Sequence, residues 1–223
     1  YKEEHEKVFY DSMQFVDDLN GFAMGDPIEN CLAFIKTTDG GKTWQKVNCD
    51  VLPKVSEGEA AFATSNTNLT IKGKSIFMVS GGKKSRVFVS KDFGSTWKVY
   101  ETPIVQGEEM TGIFTAAFYN EKIGIIAGGN YMKQDQNWAN KAITKNGGKT
   151  WKLISENEAF GYASCVQFVP NSKGKQLISV GGTGMFYSAD FGKSWTKFSD
   201  DKDFFTFRFE SEKVFYATGR NKL

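Results

Sequence analysis

Four carboxylates, Asp26, Glu59, Glu109 and Asp135, stand beside apolar runs at positions where loops are expected. Two of them, held about 5–9.5 Å apart across a cleft, would suffice to hydrolyse a glycosidic bond, one as acid and the other as base or nucleophile. Sequence spacing does not set that distance, and a loop carboxylate is most often only solvated. Other chemistries are narrowed by scarcity. His5 is the only histidine and lies in the charged segment 1–7, which removes Ser–His and Cys–His nucleophile schemes and any His-based metal site. No cofactor motif and no metal-ligand set is read. A second candidate set is suited to binding. Tyr131 and Trp138 share a polar loop and can stack on a sugar or anchor a protein partner, and Lys83, Lys84 and Arg86 lie on a neighbouring loop.

The elements that must position these residues are written in a repeat. Thr37-Thr-Asp39-Gly-Gly41-Lys-Thr43-Trp44 recurs as Ser90 to Trp97, Thr144 to Trp151 and Ser188 to Trp195. The pattern is Ser/Thr, any, Asp or Asn, any, Gly, any, Ser/Thr, Trp, with Asp39, Asp92, Asn146 and Asp190 at its third position. It suits a tight hairpin: the Asp or Asn side chain accepts backbone N–H bonds, Gly supplies positive φ, and Trp opens the return strand. A calcium reading of the acidic positions is disfavoured, because Asn146 replaces one of them and a hard cation wants several charged oxygens.

Starts at 37, 90, 144 and 188 give intervals of 53, 54 and 44 residues, the range of blade-type β repeats. Each box follows a short apolar strand ending in Gly, as at Gly25, Gly81, Gly128 and Gly181, and a fifth such strand ends at Gly219. Before it comes an alternating run, such as Val8–Phe15 or Phe204–Phe209. One unit therefore reads as strands A, B, C and D, and the expected fold is an all-β propeller of four-stranded antiparallel blades. Blades are expected at about 7–51, 59–103, 111–155 and 162–199, with a partial fifth at 203–223, as one domain of a larger ring.

From the repeated Gly to the next box Asp or Asn the chain runs 14, 11, 18 and 9 residues, while the boxes keep one length. Variation is thus confined to the B–C loops. These share a face with the blade-to-blade links, opposite the boxes, and that face is the expected binding surface.

The boxes resemble the Asp-box, or BNR, repeat of sialidases, xyloglucanase-type glycosidases, sortilin-like receptors and the photosystem II assembly-factor-like propellers. Gly25-Asp26-Pro27, Gly58 to Phe62 and Gly112-Ile113-Phe114 are most similar to the last group. The resemblance covers nearly the whole chain and implies the fold. It also implies that the boxes are scaffold, and that a non-catalytic interaction or assembly role with a protein partner, or with a glycan, is to be expected on the opposite face. A glycoside hydrolase is the alternative. A sialidase needs three arginines around its substrate carboxylate; the chain has only Arg86, Arg208 and Arg220, and lacks the Arg-Ile-Pro signature. Export to the periplasm, cell surface or medium is expected.

Composition agrees. Lys plus Arg at 28 against Asp plus Glu at 26 leaves +2, too balanced for a nucleic-acid stripe. No apolar run is long enough to span a bilayer. Among three cysteines, Cys31 and Cys49 would face each other in a hairpin centred on Gly40, which leaves a disulfide or two buried thiols open. Cys165 reads as a buried apolar filler. Each box Trp, namely Trp44, Trp97, Trp151 and Trp195, is expected to anchor its blade, with Trp→Ala costing about 3–5 kcal/mol at any of them.

Overall fold

In the computed structural model, which describes residues 1–223, the alternating runs form antiparallel strands. β1 (Tyr10–Phe15), β2 (Gly21–Ile28), β3 (Cys31–Thr37) and β4 (Gln45–Lys46) make sheet one in that order. β5 (Glu59–Ala60) precedes sheet two, which consists of β6 (Leu69–Lys72), β7 (Ser75–Val79), β9 (Arg86–Ser90) and β10 (Lys98–Glu101). The short β8 (Gly81–Gly82) joins β5 to β11 (Thr111–Phe118), so sheet three, completed by β12 (Gly124–Asn130), β13 (Lys141–Thr144) and β14 (Lys152–Leu153), is extended at its inner edge. Sheet four holds β15 (Ala163–Phe168), β16 (Leu177–Gly181), β17 (Gly184–Ser188) and β18 (Thr196–Ser199). β19 (Phe204–Phe209) and β20 (Phe215–Gly219) pair alone.

The apolar faces bury between successive sheets. Phe22, Met24 and Phe34 of sheet one meet Ile76, Met78 and Phe88 of sheet two. Phe77 and Val89 meet Ile113 and Phe118, Ile125 meets Val166 and Leu177, and Val180 meets Phe207. Each sheet thus covers one face of the next, the packing of a propeller. The inner strands converge on a 3₁₀ turn at Ala63–Ser65, which touches β1, β11, β15 and β19.

Sheet two departs from the expected boundary at residue 59. Its inner strand begins at Leu69, because Ala61–Asn68 leave the sheet edge to form that central turn. Ser65 O accepts from Thr206 Oγ1 at 3.0 Å, and Thr67 Oγ1 donates to Thr115 Oγ1 at 2.7 Å, tying the turn to two other sheets.

The repeated strand-ending Gly has a steric cause. In four sheets the A–B ladder slips by one residue, a β-bulge at Asp11, Phe114, Ser164 and Phe205. The bulge presses the carbonyl two residues earlier against the Gly. A Cβ on Gly25, Gly128, Gly181 or Gly219 would lie 1.9, 1.9, 2.2 or 1.8 Å from the oxygen of Phe9, Gly112, Tyr162 or Asp203. Only glycine fits such a contact.

The boxes fold alike from local bonds. The first hydroxyl donates to Oδ1 of the acidic or amide side chain, at 2.8, 2.8, 3.0 and 2.9 Å, and accepts from the Gly N–H. That Oδ1 also accepts the backbone N–H of Thr43, Thr96, Thr150 or Ser194. Asn146 keeps the geometry because its amide donates to Thr150 Oγ1 at 2.8 Å, where the aspartates accept.

The Trp residues are not equivalent. Trp97 packs edge-on against Phe34 of the preceding sheet, with centroids 5.5 Å apart, and Trp151 and Trp195 likewise pack in the clusters they share with the preceding sheet. Each donates Nε1–H to its box Gly carbonyl at 2.9–3.0 Å. Trp44 makes no such bond; it leans on Phe15 of its own sheet. All four are only partly buried, so the uniform cost expected above is corrected. Trp97→Ala should lose about 2–4 kcal/mol of unfolding free energy in denaturant titration, and Trp44→Ala only about 1–2. Equal losses at the two sites would contradict this account of the packing.

Cys31 and Cys49 are joined by a disulfide, with Cα atoms 5.6 Å apart. The expected register is off by one: Ile35 pairs with Lys46 and Lys36 with Gln45, and the ladder ends there. Cys49 instead returns to Cys31 through the turn at 48–52, whose amides Val51 and Leu52 bond Asn48 and Cys49 carbonyls. Cys165 is buried and free.

Candidate functional site

The bulges that force glycine into strand B also turn side chains toward the common axis. Asp11, Phe114 and Phe205 are bulged residues of sheets one, three and five, and all three line a cavity of about 580 Å³. Sheets one, three, four and five, or the links at their ends, and the segment before sheet two contribute to its wall. Phe9, Asp11 and Asp26 come from sheet one, Phe62 and Thr64 from the segment before sheet two, Met110, Phe114 and Tyr131 from sheet three, Tyr162 from the link into sheet four, and Lys202, Asp203 and Arg220 from sheet five.

One side of this cavity is acidic. Asp11 is 7% exposed and its Oδ2 has no hydrogen-bond partner. Burial, and then the charge of Asp26, pushes its carboxyl up to about 7, against a smaller opposing pull from the Asp26 backbone N–H. Asp26 accepts the Ala61 N–H at 3.0 Å and is itself raised by burial. Backbone pairing keeps the two together, since Asp26 N–H donates to Phe9 O at 3.0 Å across the bulge.

The neighbouring wall is aromatic. Phe62 stacks on Phe114 at 3.9 Å, Tyr162 stands edge-on to Phe114 at 4.8 Å, and Tyr131 edge-on to Tyr162 at 5.3 Å. The Tyr162 hydroxyl is buried and unpartnered, like Asp11 Oδ2. Elsewhere on the wall Lys202 and Arg220 make no ion pair, while Asp203 lies 3.7 Å from Lys222.

Of the four candidate carboxylates only Asp26 reaches this cavity. Glu59, a candidate only for the glycosidase alternative, is tied into the frame: its carboxylate is buried and bound by Arg86 through both Nε, at 3.0 Å, and an Nη, with Ser80 Oγ and the Ser56 N–H completing it. The reason is register, because β5–β8 pairing sets Glu59 opposite Gly82, beside the start of β9. Glu109 and Asp135 are exposed and do not line the cavity.

The binding set divides similarly. Tyr131 lines the cavity; Trp138, 48% exposed, does not. Arg86 is consumed by Glu59 and by Lys54 O at 3.0 Å, and Lys84 lies 3.7 Å from Glu101 outside the cavity lining. Lys83 is exposed and its stem lies over Gly58, away from the cavity.

Asp11, Phe62, Phe114 and Tyr162 were missed by sequence reasoning. A signal existed for two of them: Asp11 and Phe114 each lie fourteen residues before a strand-ending Gly, Gly25 or Gly128, and a polar residue at such a slot inside an apolar run is unusual. Lys141 is fully buried too, its ammonium lowered to about 8 by burial, but Asn140 Oδ1, Glu158 O and Phe160 O satisfy it. Its role is to hold the loop before sheet four.

Comparison with known proteins agrees with this architecture. Residues 35–46 and 186–197 match the BNR/Asp-box repeat. A stretch of 123 residues, 51% of the chain, is 30% identical to the oligoxyloglucan-reducing end-specific xyloglucanase of Emericella nidulans, covering 14% of that protein. YCF48 bound to D1 peptide superposes with a TM-score of 0.59 at 16% identity, over 90% of this chain and 56% of that one. YCF48 from Cyanidioschyzon merolae gives 0.59 at 16%, over 95% and 64%. The GH74 enzyme of Niastella koreensis gives 0.56 at 14%, over 84% and 29%. The chain therefore spans only part of each relative, and at these structural identities the likeness is one of fold. No helix is long and apolar enough to cross a membrane. What the boxes, the four-stranded sheets and these likenesses establish together is a chain of BNR/Asp-box repeats with the propeller fold shared by YCF48 and GH74 enzymes.

Proposed function

We propose that the chain is a non-catalytic Asp-box propeller that binds a polypeptide segment over its axial cavity and acts as an interaction or assembly scaffold. The observation that carries this reading is the cavity itself, walled by aromatic rings and holding unpartnered polar atoms, with its two raised carboxylates side by side on one sheet. A hydrolase needs its carboxylates on opposite sides of the scissile bond. The peptide bound by YCF48, a protein of the same fold, is in keeping with a polypeptide ligand. The Cys31–Cys49 disulfide supports an oxidising compartment outside the cytoplasm. The uncovered outer faces of sheets one and five, where Met13 and Tyr216 are exposed, support further blades in the ring.

A second reading has one observation in its favour. A buried carboxyl with a pKa of about 7 is what a general acid requires, and Asp203, which lines the same cavity, could serve as its partner in glycoside hydrolysis. The test separates the two. A phage-displayed random peptide library panned on the chain should enrich clones whose binding is blocked by Met110→Glu, at the exposed rim of the cavity. Xyloglucan oligosaccharides should stay intact. Oligosaccharide cleavage abolished by both Asp11→Asn and Asp203→Asn would replace this reading with the hydrolase, and clones indifferent to Met110→Glu would remove the cavity from binding.

A further inference from the structure

The geometry points to a subsite for a cationic side chain, a lysine or arginine of the bound polypeptide, between Asp11 and Asp26 on one side and the Phe62, Phe114, Tyr131 and Tyr162 rings on the other. It rests on the binding reading above and adds what the ligand must carry.

Asp11 has more than nine-tenths of its surface buried, lines the cavity and leaves Oδ2 without a donor. A buried polar atom without a partner costs about 1–3 kcal/mol, more when charged, so a position that keeps one has a missing partner to be accounted for. To the ionised carboxylate that partner must be a donor, since only the protonated form can donate. The protein's own cations do not supply it. Lys202 and Arg220 line the same cavity and form no ion pair with either carboxylate; Asp203, the remaining charged group on the wall, has Lys222 beside it. Arg86 is held by Glu59.

A neutral donor, such as a sugar hydroxyl, would satisfy Oδ2 but leave the buried Asp11 to ionise, unneutralised, beside the half-buried Asp26. An ammonium or guanidinium satisfies the atom and neutralises the charge together, with a charge-assisted bond. The aromatic wall favours the same ligand. Phe62 and Phe114 are stacked at 3.9 Å and Tyr131 and Tyr162 are set edge-on at 5.3 Å, so π-faces and a phenol oxygen surround the point where the alkyl stem and cationic head would enter. A cation over such rings is attracted by their quadrupoles, and its methylenes bury against them. The unpartnered Tyr162 hydroxyl adds one acceptor.

The panned clones supply the test. Among those blocked by Met110→Glu, one position should be enriched in Lys or Arg. Replacing that residue by norleucine in a synthetic copy of the peptide should weaken binding about tenfold or more on the wild-type chain, and less than about threefold on Asp11→Asn. Thermal melting confirms that the variant is folded, and Asp26→Asn gives a second, milder arm of the same cycle. Clones that enter the cavity without any basic preference, or whose Lys or Arg matters equally on Asp11→Asn, overturn the subsite while leaving the binding reading intact. Clones that ignore Met110→Glu overturn the binding reading itself.

Discussion

Arg86→Ala lowers the unfolding free energy by about 3–5 kcal/mol, the largest loss expected of any single substitution outside the cores. The Glu59 carboxylate has no side-chain exposure and Arg86 very little, so removing the guanidinium strands a charge in a site that water does not reach. Ser80 Oγ at 2.5 Å and the Ser56 N–H at 2.8 Å remain as donors, too few to replace it. The damage spreads because Glu59 lies in β5, whose pairing with β8 links sheet two to sheet three, and because Arg86 also holds Lys54 O. Replacing both partners together, as Glu59→Leu with Arg86→Met, should recover most of the loss, since the penalty belongs to the orphaned charge more than to the missing attraction. Urea titration of the two single variants and the double variant measures this. A loss below about 1 kcal/mol for Arg86→Ala, with ligand binding abolished, would return Arg86 to the binding surface.

Asp11→Asn should act in the opposite direction and make the chain more stable at alkaline pH. The folded state holds the Asp11 proton up to about pH 7, whereas an unfolded aspartate releases it near 4. Between those values the native state binds more protons, so stability is greatest below about 4 and falls as pH rises through about 7. The span corresponds to on the order of 4 kcal/mol at most. Asn carries no charge and removes that slope. Denaturation at pH 5 and pH 8.5 should therefore show the variant gaining on the wild type at the higher pH, with about a third of the full difference present at the lower. The box carboxylates run the other way: Thr43 and Thr96 hold Asp39 and Asp92 down at about 2, so their contribution is present above about 4 and lost as pH falls toward 2. Parallel pH curves for wild type and Asp11→Asn would show that Asp11 is solvated and that the cavity corner is wet. A residue whose removal stabilises the fold while weakening the ligand is retained for what it binds.

Part of this was legible before any coordinates. The boxes announced themselves because their bonds close within eight residues: hydroxyl, carboxylate and Gly N–H sit at fixed spacing, and Asn146 could be recognised as equivalent because an amide serves the same backbone donors. The strand-ending glycines were legible as punctuation, although their cause, the carbonyl pressed on them by the bulge, was not. Trp138 illustrates the limit. It lies in the longest B–C loop, as expected, yet the loop directs Tyr131 and Gln134 to the cavity and leaves Trp138 outside it.

By itself the sequence determined the repeat, the four-stranded sheets and the face on which loops vary, because each depends on side chains close together along the chain. Only the tertiary structure decided what the face can do. The cavity is assembled from distant residues between Phe9 and Arg220, and Glu59 and Asp11, two acids in apolar surroundings, are assigned opposite roles by their neighbours. Glu59 met a guanidinium and became part of the frame; Asp11 was buried with no donor at hand. Burial and partnership are properties of packing between distant segments, and no local pattern encodes them.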